Sequence, residues 1–269
     1  MSSAGQAALL GLVQGLTEFL PVSSSAHLIL ARAFFGFDGD KFGLAFDVAC
    51  HVGTLMAALV YFRREIGRMV AAIPALLRPA ANEYARLIWL LVIGTLPAVV
   101  AGALFKRAIE GGLRTPVVAA LTLAVGAVLM LWAERVGAKR RDENTLTAIE
   151  AFWIGCAQAL ALIPGVSRSG ATITVALLVG LRRPDAARFI FLLAIPAILG
   201  AAASEARPAW RELAAPGAPT LFVIGIVTSA VVGYAAVKYF IRYLGGHSLA
   251  PFAWYRLALA GAVVVWLLR

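Results

Sequence analysis

The 269-residue sequence is poor in the groups that usually build metal centres and disulfides: two cysteines, three histidines and 14 acidic residues. Cys50 and Cys156 stand in apolar surroundings without metal-ligand spacing, which excludes a disulfide scaffold and a zinc site and leaves both as small packing residues. No polar stretch exceeds about 10–20 residues, so no separate soluble domain is expected. No Lys or Arg precedes the first apolar run, and Glu18 interrupts that run, which argues against a cleaved signal peptide. The alternating apolar and polar positions of a barrel strand are also missing. What the chain has is apolar mass. It is 61% hydrophobic with a mean hydropathy of +0.86, and runs of about 17–25 apolar residues, enough to cross a hydrocarbon core, recur along its length. In such a chain the formal charge of +10 reads as the positive-inside bias of a membrane protein, and no nucleic-acid partner is expected.

The pattern predicts an all-α polytopic membrane protein forming one integral-membrane domain over residues 1–269. Uninterrupted spans are expected at about 45–62, 87–105, 116–133, 187–204, 219–240 and 251–268. Two further apolar stretches are cut in half: residues 6–20 and 25–36 by "PVSSS", and residues 148–163 and 170–181 by "PGVSRS". Each half, at about 12–16 residues, is short for a crossing, so each pair reads as a re-entrant helical hairpin. Irregular backbone survives at membrane depth only where it is buried in protein or lines a wet cavity.

The two breaks resemble each other. Aligned without a gap, Gly11 falls on Gly155, Gln14 on Gln158, Leu16 on Leu160, Ser23 on Ser167 and Ser25 on Ser169. That similarity suggests repeat-like halves of about 1–133 and 134–269. Three spans separate the hairpins, an odd number, so the repeat is inverted. One side of the resulting topology collects Arg63, Arg64, Arg68, Arg78, Arg86, Arg135, Lys139, Arg140, Arg141, Arg182, Arg183, Arg188, Lys238 and Arg242. The other collects Arg32, Lys41, Lys106, Arg107, Arg114, Arg207, Arg211 and Arg269. The richer side should be cytoplasmic, which puts both termini outside and opens the first hairpin outward.

Inverted hairpins meeting at mid-depth would bring two helix N-termini together, with Ser24 or Ser25 opening one helix and Ser169 or Gly170 the other. Free N–H groups and dipole ends facing one cavity favour an anion, and Arg168 adds a planar fork suited to phosphate oxygens. An isolated arginine at that depth costs about 2.5–3.5 kcal/mol on insertion scales, so an anionic partner is its natural compensation. Glu18 has the opposite sign and shares a helix face with Gln14. It could act as general base, as a Mg²⁺ or Ca²⁺ ligand, or as partner to His27 or Arg168. Among the three serines one hydroxyl could be a nucleophile while the others cap helices or bind phosphate. Asp47 and His51, one turn apart in "FDVACHVGT", could line the same cavity from behind.

At these residues the sequence resembles the bacterial undecaprenyl-diphosphate phosphatases, the membrane-embedded type associated with bacitracin resistance. "QGLTEFLPVSSSAHL" and "PGVSRSGATI" match the two signature motifs of that family in composition and spacing. The resemblance implies hydrolysis of undecaprenyl diphosphate to undecaprenyl phosphate, which recycles the lipid carrier of cell-wall synthesis. It also implies assistance by Mg²⁺ or Ca²⁺, a place in the bacterial inner membrane and an active site on its outer face. Carried over by position, Glu18 is the essential acidic residue, His27 the catalytic histidine, Ser24 the nucleophile or phosphate ligand, and Arg168 the grip on the diphosphate. Ser23, Ser25, Ser167, Ser169, Gly170 and Thr172 would support the phosphates. Gln14 stands where many members carry Glu, which weakens any scheme with two carboxylates on the metal.

A rival of another class is a transporter or flippase of a phosphate-bearing lipid, since broken helices at the midplane also serve carriers. Small-residue spacing is compatible with a homodimer, but in a chain with 25 glycines it identifies no dimer face.

Overall fold

The computed structural model describes residues 2–37, 42–113, 115–213 and 217–269. Eleven α-helices account for most of these: α1 (Ser3–Phe19), α2 (Ser24–Phe35), α3 (Leu44–Tyr61), α4 (Arg63–Ala71), α5 (Glu83–Gly112), α6 (Pro116–Val136), α7 (Ala148–Leu160), α8 (Arg168–Leu178), α9 (Arg183–Leu213), α10 (Ala218–Leu244) and α11 (Ala250–Leu267). Among the described residues there is no strand, and one isolated bridge joins Arg141 to Leu181. Six helices are long and apolar enough to span a membrane: α3, α5, α6, α9, α10 and α11. They are the six expected spans. Of the basic residues used to orient the chain, Lys41 and Arg114 lie outside the described residues.

Local chemistry sets the boundaries. Asn82 caps α5 by accepting from the N–H groups of Tyr84 and Ala85, which starts that helix ahead of its apolar run. Thr115 caps α6 with Pro116 at its first position, and Thr147 with Glu150 forms a capping box on α7. α5 and α9 are 30 and 31 residues long, well beyond the apolar stretches within them; in α5 the Asn82 cap makes the polar start helical. α4, which the apolar pattern does not single out, is a short basic helix whose Ile66 and Met69 pack on the core while Val70 stays exposed. Exposed Ile73 and Leu77 follow it, the composition of a segment lying at a membrane surface.

Both divided stretches are helical hairpins. α1 stops where Pro21 forces Leu20 into extended backbone. α7 stops ahead of Pro164 and Gly165, whose φ of +88° only glycine adopts easily. The start and finish of α7–α8 are tied together: the N–H groups of Arg140 and Arg141 both donate to the Gly180 carbonyl at 3.0 Å, and that of Arg182 donates to the Arg141 carbonyl at 2.8 Å. Around this tie lie the Arg183–Glu134 pair, the Arg188–Glu143 pair and the N–H of Leu249, which donates to Glu134. With Arg86 of α5 donating to the Asn144 carbonyl at 2.5 Å, the loops before α5, α7, α9 and α11 share one end of the bundle. The outer ends of α1 and α2 pack at the other end, where Ala7, Leu10, Leu28 and Ala31 meet Phe37, Phe42, Phe46 and Phe222. The hairpins enter from opposite ends and their breaks meet inside.

Each hairpin also uses a glycine for close approach to a long helix. A Cβ on Gly11 of α1 would lie 2.8 Å from the Gly225 carbonyl of α10, and one on Gly155 of α7 would collide with the Gly94 carbonyl of α5. These are the glycines that the repeat alignment pairs. Beneath the breaks, Phe19, Phe191 and Phe240 stack edge-on or tilted in the main apolar cluster.

Candidate active site

The same capping device opens both second half-helices. Ser23 caps α2 by accepting from the Ala26 N–H at 3.4 Å, and its hydroxyl lies 3.3 Å from that of Ser25. Ser167 caps α8 by accepting from the Gly170 N–H at 3.1 Å, and its hydroxyl lies 3.2 Å from that of Ser169. α2 thus opens at Ser24, one of the two expected positions, with Ser23 as its cap, whereas α8 opens at Arg168, one or two residues before Ser169 or Gly170, because Ser167 already reaches the third N–H of the turn. Ser23 adopts a φ of +74°, a costly conformation for a residue with a side chain. The outer serine of each pair reaches across to the other break. Ser25 Oγ accepts from the Gly165 N–H at 3.2 Å, and Ser169 Oγ donates to the Leu20 carbonyl at 3.0 Å. From α6, Thr122 donates to the Pro164 carbonyl at 3.0 Å.

Glu18, 7% exposed, is the hub of this junction. Its Oε1 pairs with Arg168, from 150 positions away, at the first turn of α8. Its Oε2 accepts from Gln14 Nε2 at 2.8 Å and from the Ser24 hydroxyl at 2.7 Å. His51 Nε2 lies 3.4 Å from the same oxygen. Arg168 sits where a helix dipole already presents positive potential, so two positive features converge on one carboxylate. Glu18, Phe19, Arg168 and Ser169, with Ile190, Phe191 and Ala194 of α9, line a small cavity of about 10 Å³, room for about one water molecule.

The histidines divide differently from their motif positions. His27 Nδ1 donates to the Ser23 carbonyl at 2.7 Å, which leaves Nε2 of the neutral ring to accept from the Tyr255 hydroxyl at 2.7 Å. Both of its nitrogens are therefore engaged away from Glu18. His51 Nδ1 donates to the Asp47 carbonyl at 2.7 Å, which aims Nε2 at Glu18. Asp47 itself is paired with Arg32. Gly170 keeps its N–H under the Ser167 hydroxyl, and Thr172 is buried with its hydroxyl turned back to the Arg168 carbonyl at 2.6 Å. Thr172 thus braces the turn that carries Arg168.

Gln14 is fully buried, and its Oε1 has no hydrogen-bond partner among the described residues. Gln158, its counterpart in the second hairpin, has neither amide atom bonded among the described residues, and Leu162 stands where Glu18 would be. No three His, Cys, Asp or Glu side chains converge among the described residues. Beside Glu18 the Oε1 of Gln14 is a further hard oxygen donor, and two such donors are too few for an all-protein cage.

One residue that motif reading passed over is Arg256. Once every lysine and arginine assigned to a membrane face is set aside, Arg168 and Arg256 remain. A single arginine amid the apolar residues of α11 is the signal that could have found it. It is 1% exposed and donates to the main-chain carbonyls of Leu123 and Thr122 at 3.3 and 3.1 Å.

Comparison with known proteins places the chain in a family. The family model described as Bacitracin resistance protein BacA matches residues 7–262. The undecaprenyl-diphosphatase of Rubrobacter xylanophilus is 48% identical over 266 residues, covering 98% of both chains. That of Moorella thermoacetica is 44% identical over 266 residues, again 98% of both, and that of Geobacter sulfurreducens 44% over 264 residues, 97% of both. The chain belongs to the bacitracin resistance protein BacA family.

Proposed function

We propose that this protein is a membrane-embedded phosphatase that hydrolyses undecaprenyl diphosphate to undecaprenyl phosphate and phosphate, returning the lipid carrier to cell-wall synthesis. The observation that carries the reading is the Ser24 hydroxyl donating at 2.7 Å to a carboxylate that is held in turn by Arg168. A hydroxyl directed at a base, beside a guanidinium that fits phosphate oxygens, is the constellation of a nucleophile acting on a phosphoryl group.

In this reading Arg168 grips the terminal phosphate and aligns it with Ser24. Ser24 Oγ attacks the terminal phosphorus, Glu18 takes the hydroxyl proton, and the bond to the bridging oxygen breaks, so that undecaprenyl phosphate leaves with that electron pair. Glu18 hands that proton to solvent through His51, which lies 3.4 Å away, and is ionised again; water then attacks the phosphoserine, the bond from phosphorus to Ser24 Oγ breaks, and Glu18 takes the water's proton and returns it to Ser24 Oγ as phosphate leaves. Phosphoryl transfer asks the protein mainly for positioning and charge neutralisation, which two helix N-termini and Arg168 supply. Glu18 and the free amide oxygen of Gln14 are the groups that would hold a Mg²⁺ or Ca²⁺ ion, which when bound neutralises charge on the phosphate oxygens. His27, tied to Tyr255, holds α2 against α11 and orients the serine turn.

The site follows from the substrate. At about 0.8 kcal/mol per buried CH₂, a polyprenyl tail stays in hydrocarbon, so its headgroup must be met inside the membrane. We place the hairpins as re-entrant elements of a bacterial inner membrane. The arginine-rich end lies in the cytoplasm and the first hairpin opens outward, a placement supported by the count of basic residues on the two sides. One chain carries every group used, so the reaction needs no second copy.

The test is phosphate release from undecaprenyl diphosphate by the purified full-length protein, with and without a chelator. Turnover that falls on chelation and returns with Mg²⁺ or Ca²⁺ is expected. Binding of the lipid without phosphate release would contradict the reading and leave a lipid carrier.

A further inference from the structure

The substrate assigned above carries two phosphates, and the machinery described so far grips one. Arg256 lies in α11 beside the second break. Arg32, Arg168, Arg183 and Arg188 each pair with a carboxylate, whereas Arg256 forms no ion pair among the described residues. Two carbonyls of α6 solvate part of its guanidinium. Its Nη1 faces the first turn of α8, close enough that a Cβ on Gly170 would lie 2.7 Å from it. A Cβ on Gly126 would collide with the other arm of the fork, so the guanidinium packs closely against two glycines. Gly170 is two residues from Arg168 in that same turn. The preceding residue, Tyr255, bonds His27 in the first turn of α2, so α11 touches both breaks. A buried cation without a protein anion, beside a helix N-terminus, is costly until an anion arrives.

We propose that Arg256 is a second anion subsite, which takes the ester-bearing phosphate of the lipid diphosphate while Arg168 takes the terminal one. The division follows from placement: the attacked phosphorus must lie by Ser24, which Glu18 and Arg168 flank, and the departing phosphate then falls toward Gly170 and Arg256. Arg256 neutralises the charge left on the bridging oxygen when the phosphoric anhydride bond breaks. A planar fork suits this role because two donors anchor it on α6 while the remainder faces the ligand.

The inference rests on the proposed function, and its test reads binding independently of turnover. Inorganic pyrophosphate and inorganic phosphate are titrated calorimetrically into purified full-length wild type, Arg256→Met and Arg256→Lys. Arg256→Met is expected to weaken pyrophosphate binding about 10–100-fold, the scale of a lost charge-assisted contact, while phosphate binding at Arg168 changes by less than about threefold. Arg256→Lys keeps the charge without the fork and should fall between. Loss of the carbonyl bonds on α6 alone would not separate the two anions. Equal weakening of both, or pyrophosphate binding within about threefold of wild type, overturns the proposal. If Arg256→Met does not fold, Arg256→Lys carries the test by the same comparison, and a pyrophosphate affinity unchanged from wild type overturns it. Failure of wild type to release phosphate from the lipid would instead strike the proposed function, because the anion titrations need no turnover.

Discussion

Glu18 gathers four side chains on one carboxylate, and each contact has a different use. Gln14 fixes its rotamer, Arg168 balances its charge, Ser24 offers it a proton, and His51 stands behind as a proton partner. If Ser24 is the nucleophile, rapid quenching with a diphosphate labelled in its terminal phosphate should leave label on the wild type and none on Ser24→Ala. Ser24→Ala should also lose about 10²–10⁴-fold in turnover. Label retained on Ser24→Ala would move the nucleophile elsewhere. The motif residues were legible because charge and hydroxyl groups inside an apolar run demand a reason. Their partners were less so. Sequence proximity suggests His27 for Glu18, yet the helical turn from Asp47 to His51 delivers His51, while His27 turns to Tyr255 across 228 positions. Spacing along a chain does not encode which of two side chains rotates inward.

At the scale of elements, close backbone contacts and end ties hold the hairpins. Gly155→Ala should push α7 off the Gly94 carbonyl and cost about 1–3 kcal/mol, the range for overpacking. Gly200→Ala in α9, where an added methyl meets nothing within 4 Å, should leave the melting temperature unchanged or slightly raised. Equal melting of the two variants would contradict the packing described. The tie at the arginine-rich end has a pH signature. Burial pushes the Glu143 carboxyl up to about 7 against the pull of Arg188, with Asp185 and Glu65 adding to the rise. As pH climbs above the ordinary value of 4.5, the unfolded chain gives up this proton while the folded chain keeps it, so stability falls until about 7 and then levels. Melting temperature should therefore decline across that window in wild type and decline less in Glu143→Gln; identical profiles would remove Glu143 as the cause. All six spans and both hairpins were readable from apolar run length and the Pro, Gly and Ser breaks. The flanking turns of α5 and α9 and the helix α4 were not, since caps and surface amphipathicity extend helices without lengthening an apolar run.

At the scale of the whole molecule, opposite entry of the hairpins is what joins residues 18 and 168 in one site. The odd number of intervening spans read that arrangement from sequence, but the lone Arg256 escaped, because a count of face-assigned charges discards the charge that belongs to neither face. Orientation can be checked with an impermeant thiol reagent on whole cells, in a background with Cys50 and Cys156 replaced. Ser2→Cys, at the end where the first hairpin opens, should label in intact cells, and Asn144→Cys, in the tied end, only after permeabilisation. The reverse pattern would put the site on the cytoplasmic side. The most direct test of the central claim, that the breaks join to make one reactive centre, is a double-mutant cycle on phosphate release with Glu18→Gln, Arg168→Lys and both together. Each single substitution should cost at least about 100-fold, and the double should cost little more than either, because each removes the same unit. Turnover retained in both single variants, or losses that multiply in the double, would contradict it.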